Sequence, residues 1–237
     1  MWQALGDAKS VLNVGAGTGS YEPPDREVTA VEPSEVMIAQ RAPGAAPVVQ
    51  AAAENLPFGG DSFDAAMAIL TLHHWRDVDT GLAEMLRVAR RRVVVVAFDP
   101  EVAAELWIVR DYLPEVASHH LRRHPSLTQL LDALPGATVG PLLVPRDCTD
   151  RMFATLCPRP EQYLDPQVRE ATSTWDQVPR AASARALRQL RHDLLSGKWD
   201  AQYGHLRTTP AWDVGLRLIR VERGTESPSG RGATVAG

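Results

Sequence analysis

The residues best suited to chemistry stand in the first third of the chain. Gly15-Ala16-Gly17-Thr18-Gly19 follows directly on the apolar run Ser10-Val11-Leu12-Asn13-Val14. Glycines let the backbone turn sharply and approach a ligand with no Cβ in the way, and the helix start expected after the turn offers free N–H groups. Glu32 closes a second β-branched run, Glu27-Val28-Thr29-Ala30-Val31. A carboxylate at the end of a neighbouring strand can accept both hydroxyls of a ribose. Each feature has a plain alternative, a tight strand-to-helix turn or a strand-end acid; the pair points to a nucleotide-type ligand. His73-His74 is the other reactive pair. Imidazole titrates near neutrality and can move a proton; equally, one ring can pack on Trp75 and the other bond a backbone carbonyl.

The glycine spacing bears on which nucleotide is held. Dinucleotide sites use GxGxxG/A, whereas here the third glycine comes one position early and Ser20 takes its usual place, which favours S-adenosylmethionine over NAD.

Positioning these groups requires alternating strands and helices. Strands are expected over 10–14, 27–31, 47–50, 62–69 and 92–98, with a helix from Pro33-Ser34 to Gln40 and another from Val78 to Arg90. This is the pattern of βαβ units with a buried parallel sheet. Asp99-Pro100-Glu101 opens a helix carrying Val102, Leu106, Val109 and Leu113, interrupted at Pro114. Ser126 caps another, closed by Pro135-Gly136. Strands over 137–144 and 213–219 complete a Rossmann-like α/β fold: a mostly parallel seven-stranded sheet, helices on both faces, and a helical insertion, residues 147–208, before the last strand. One domain over 1–222 is expected, with a cofactor half (10–98) and a substrate-side half (99–222). The Gly/Ser-rich tail 223–237 reads as disordered. Trp107 reads as core, and so does the Trp199, Tyr203, His205 group.

Bulk properties narrow the function classes. The net charge of −4 opposes binding along a nucleic-acid backbone, which depends on clustered cations, and favours a small substrate. Residues 92–98 form the longest apolar run, too short to span a bilayer, so a cytoplasmic protein is expected. Cys148 and Cys157 lack zinc spacing and read as ordinary thiols; no metal site is expected. Oligomeric state is not encoded in any pattern here.

The segments 11–19, Val31-Glu32-Pro33-Ser34, Ala53-Glu54-Asn55-Leu56-Pro57-Phe58, Asp61-Ser62-Phe63-Asp64 and Leu72-His73-His74-Trp75 closely resemble class I S-adenosylmethionine-dependent methyltransferases of the type 11, ubiquinone/menaquinone-methyltransferase-like group. The likeness is specific over 10–98. It implies that Asn13, Gly15, Ala16, Gly17 and Gly19 build the loop facing the methionine part of the cofactor. Glu32 would take the ribose, Pro33 through Met37 the adenine face, and Ala53, Glu54 and Asn55 the adenine edge. Leu70 and Thr71 would floor the sulfonium, with His73 and His74 near the methyl group. Three departures stand out: Asn13 where relatives have Asp, Ala52 where they have an acid, and only nine residues before the first strand.

The expected function is therefore methyl transfer from S-adenosylmethionine to a small molecule at oxygen, nitrogen or carbon. Two alternatives stay open. A degenerate protein could hold the cofactor without transfer, as Ala52 and the short N-terminal segment suggest. An NAD-dependent oxidoreductase would share Glu32 and the glycines, but no Tyr-x-x-x-Lys pair is present.

Overall fold

A computed structural model of the chain describes residues 1–223. Apart from its first residue, the expected disordered tail lies outside the described residues.

Five strands, β1 (Ser10–Val14), β2 (Glu27–Val31), β3 (Val48–Val49), β4 (Phe63–Ile69) and β5 (Ala89–Phe98), pair in parallel in the order β3-β2-β1-β4-β5. β4 is buried along its whole length, as a central parallel strand must be. α1 (Glu35–Ala39), capped by Ser34, joins β2 to β3; α2 (Val78–Val88), capped by Asp77, joins β4 to β5. Leu82, Met85 and Val88 of α2 bury on the sheet face formed by Leu12, Val14, Ala66, Ala68, Val93 and Val95. On the other face, the helical turn Trp2–Leu5 and Ala8 pack against Val11, Ala65, Met67 and Val94.

Beyond β5 come α3 (Pro100–Ala104), α4 (Pro114–Arg123), α5 (Leu127–Ala133), β6 (Thr138–Pro141) and β7 (Val144–Pro145). Then follow α6 (Pro166–Glu170), α7 (Arg180–Leu195), α8 (Lys198–Tyr203), β8 (Ala211–Trp212) and β9 (Leu216–Glu222). β9 inserts antiparallel between β5 and β6, completing a seven-stranded sheet; β7 and β8 form a separate pair. This is the expected mostly parallel, Rossmann-like architecture.

Several local expectations change. No helix follows the glycine turn: only twelve residues separate Val14 from Glu27, Pro23-Pro24 among them, and they form turns. The helix expected through Leu113 stops at Ala104 and resumes as a π-helical turn, Ile108–Tyr112, in which Leu113 N–H reaches both Ile108 O (3.0 Å) and Val109 O (3.2 Å). Pro114 then begins α4 instead of merely ending its predecessor, its missing N–H being harmless at the first helical position. The strand expected over 137–144 divides after Pro141. The last strand starts three residues late, because Asp213 turns the chain by accepting Gly215 N–H (2.8 Å), with Gly215 at φ +89°.

Residues 147–208 are largely helical, and α7 and α8 share a core with the π turn. Trp107 and Trp199 meet edge to face with centroids 5.3 Å apart, and Tyr163 is fully buried beside them. Trp107 Nε1 donates to Cys157 O (3.1 Å). Both tryptophans are core, as expected.

Candidate active site

The glycine turn is held where strands β1 and β2 end. Gly15 and Ala16 donate their N–H groups to Val31 O at 2.8 and 3.0 Å. Gly15 sits at φ +70° with Thr71 against its Cα, so an added Cβ would overlap the Thr71 side chain. At Gly17, φ +54°, a Cβ would meet no atom within 4 Å and would project into open space. These two positions require glycine for conformation, and the first for space as well.

Glu32 is 7% exposed and sits across the turn. Its Oε2 accepts from Gly17 N (2.8 Å) and its Oε1 from Ser34 N (2.9 Å). Each carboxylate oxygen can accept two hydrogen bonds, so both oxygens keep acceptor capacity for a diol. The turn and Glu32 open on a cavity of about 780 Å3. Pro33, Ser34 and Met37 form one wall, Ala52, Ala53 and Glu54 another, and Leu70 and Thr71 lie at the end of β4. That volume is ample for an adenosyl amino acid.

Leu70 occupies the left-handed region at φ +55°. A branched side chain there costs roughly 1–2 kcal/mol, and such strain gathers at functional sites. The residue borders two cavities. The second, of about 550 Å3, shares Leu70, His74 and Met152 with the first. Its other walls are apolar residues of β5, α3 and the π turn, a histidine group from residues 73–74 and 119–124, and residues from the 150–177 segment, Thr172 and Gln177 among them.

His73 and His74 lie in the short turn Leu72–His74 after β4. His74 borders both cavities and His73 the second only. Neither packs on Trp75 as a ring pair; His73 instead faces His74 (centroids 3.9 Å apart) and His124 (4.6 Å). Burial, helped by its histidine neighbours and Arg123, pushes the His73 imidazole down to about 3. Burial likewise brings His120 and His124 to about 4 and lowers His74. These rings are neutral at pH 7.

Of the remaining expected site residues, Asn13 is buried in β1 and borders neither cavity, Gly19 faces away toward Glu22 and Arg41, and Asn55 is exposed. Glu54 lines the cofactor cavity, but its Oε1 accepts from Arg76 N (2.7 Å) and Asp77 N (3.1 Å), so its carboxylate anchors the start of α2. Sequence reasoning missed Tyr21, Asp150, Met152 and His124. Tyr21 donates to Asp150 Oδ2 (3.1 Å), and Asp150 Oδ1 accepts from Met152 N (3.1 Å), which carries Met152 to the junction of the cavities. No pattern marks the loop residues; His124, which directly follows α4, stands four positions after His120, and that spacing could have found it.

A glycine turn at the C-terminal edge of a parallel sheet, facing a strand-end acid, defines a cofactor-dependent α/β enzyme of the adenosyl-binding kind. Residues 12–97 match the family described as "Methyltransferase domain". A crystal structure from Anabaena variabilis, described as a methyltransferase from an antibiotic biosynthesis pathway, is 30% identical, with 90% of each chain covered and a TM-score of 0.80. An S-adenosylmethionine-dependent methyltransferase of Thermotoga maritima shares the fold at 17% identity and a TM-score of 0.52, covering 92% of this chain and 83% of its own. The YcgJ protein of Bacillus subtilis does so at 18% identity and 0.52, covering 94% and 99%. No curated protein matches the sequence. The chain belongs to the class I S-adenosylmethionine-dependent methyltransferases, and S-adenosylmethionine, not NAD, is the cofactor of its family.

Among the described residues, no helix is long and apolar enough to cross a membrane.

Proposed function

We propose that the chain transfers a methyl group from S-adenosylmethionine to a small-molecule acceptor lodged in the histidine-lined cavity. The carrying observation is that two cavities of ligand size meet at Leu70, His74 and Met152. The Anabaena relative's place in an antibiotic biosynthesis pathway supports a small acceptor.

When bound, the cofactor supplies an electrophilic methyl group on a sulfonium. Glu32 holds the ribose hydroxyls, Gly15 to Gly17 leave room for the amino-acid part, and Pro33 and Met37 flank the adenine, with Ala53 at its edge. Asn13 and Gly19 support the loop from behind. Leu70, Thr71 and Met152 bound the passage between the cavities and keep water from it, which matters because in-line displacement depends on holding two partners close in a dry site. His74 orients the acceptor at that passage. As a general base His73 is weak, since an imidazole at about 3 is far from the operating pH.

Calorimetry with S-adenosylmethionine and S-adenosylhomocysteine tests the first half, and Met152→Trp the second. Filling the passage is expected to leave cofactor affinity within about three-fold while abolishing transfer, a difference below 1 kcal/mol in binding. No heat with either compound would overturn the reading.

A further inference from the structure

The acceptor cavity is chemically lopsided. One side is apolar, formed by Leu70, Phe98, Leu106, Val109, Met152 and Phe153. The other gathers the imidazoles of His73, His74, His119, His120 and His124, with the His120 and His124 rings 5.3 Å apart. His119 Nε2 is buried with no hydrogen-bond partner. A neutral imidazole offers one N–H donor and one acceptor, so this wall presents several of each to whatever the cavity holds, and the guanidinium groups beside it add donors only.

Cations outnumber anions on the wall, two guanidinium groups to one carboxylate. Arg123 and Arg151 line the cavity, and among the described residues neither is ion-paired. Arg123 stands close enough for its charge to act on His73, His74 and His124. Asp150 is the one carboxylate in the lining, and both its oxygens are engaged, by Tyr21 Oη and by Met152 N–H. An ammonium group entering here would meet two guanidinium groups against the single carboxylate of Asp150; an anion would find donors and both guanidinium groups. A metal does not explain the histidines, because among the described residues no three His, Cys, Asp or Glu side chains are arranged to hold one.

We infer that the acceptor is an apolar-bodied carboxylic acid, gripped by the imidazole N–H groups and Arg123 and methylated on a carboxylate oxygen. The inference rests on the methyl-transfer reading above. A carboxylate is already ionised at neutral pH, so it needs no base, and burial makes the His73, His120 and His124 imidazoles weak ones. In the step, a carboxylate oxygen forms the new bond to the methyl carbon while the carbon–sulfur bond breaks and leaves its electron pair on sulfur. An anion and a sulfonium cation become a neutral ester and a neutral thioether, and no proton moves. A phenol or an ammonium ion would have to shed a proton before attack, which these three rings accept poorly.

The test uses the full chain loaded with S-adenosylhomocysteine and three probes of matched shape: phenylacetate, phenethylamine and phenethyl alcohol. Phenylacetate is expected to bind at least about ten-fold tighter than the other two, and Arg123→Gln to weaken it by about ten-fold, equivalent to 1.4 kcal/mol, without moving the alcohol. With methyl-labelled S-adenosylmethionine, label on phenylacetate is expected to leave as methanol in alkali, as an ester does. Equal or tighter binding of amine or alcohol, an affinity for the acid that Arg123→Gln does not change, alkali-stable label, or no transfer to bound acid would each overturn the inference. Absence of cofactor binding would instead sink the methyl-transfer reading, which separates the two failures.

Discussion

Glu32 is fixed from two sides, by Gly17 N–H and Ser34 N–H, so its carboxylate is set in place before any ligand arrives. Hydrogen bonds to charged groups contribute about 1.5–3 kcal/mol, so Glu32→Ala is expected to weaken S-adenosylmethionine binding roughly 10- to 150-fold by calorimetry. The histidine group gives a pH signature. His73, His120 and His124 take up protons near pH 3 to 4 when folded, against about 6.5 when unfolded. The unfolded chain therefore binds more protons across that window, so stability is full above about pH 6.5 and falls as the pH drops toward 4. Melting temperature against pH should show this slope, and His73→Asn should flatten it. At this scale the sequence was legible where chemistry demands one residue type: glycine at 15 and 17, an acid at 32. Glu54 lines the cavity while its carboxylate also holds the start of α2, a second task that composition does not record.

The helix α2 shows this second task of Glu54. Its start is held by Asp77, accepting from Asp79 N (3.1 Å) and Thr80 N (3.2 Å), and by Glu54 on the turn before it. Glu54→Ala is expected to cost about 0.5–2 kcal/mol of stability, as lost caps do, and to reduce cofactor affinity less than Glu32→Ala; thermal melts and calorimetry on the same sample check both. Elements with strong local signals, such as β1, β2 and α2, were readable to within a few residues. The connections were not: twelve residues are too few for a helix after the glycine turn, and the break after Ala104 serves the packing of Trp107 and Tyr112, which no local pattern records.

The two larger cores of the molecule lie on one face of the sheet and in the helical segment around Trp107 and Trp199. The bond from Tyr21, which lines the first cavity, to Asp150, which lines the second, ties the loop after β1 to the helical segment. Tyr21→Phe removes that tie while keeping the ring, and is expected to speed cofactor release several-fold in stopped-flow measurements with little change in melting temperature. Trp199→Ala should instead cost about 3–5 kcal/mol, as core tryptophan truncations do. The mostly parallel sheet followed from the alternation of strands and helices, whereas the meeting of residues 70, 74 and 152 depends on tertiary closure and had no sequence signal.

The most direct measurement is a crystal structure of the chain with S-adenosylhomocysteine. The ribose hydroxyls are expected on the Glu32 carboxylate and the sulfur beside Leu70, His74 and Met152, facing the histidine-lined cavity. A ligand seated elsewhere, or a sulfur turned away from that passage, would contradict the two-cavity mechanism.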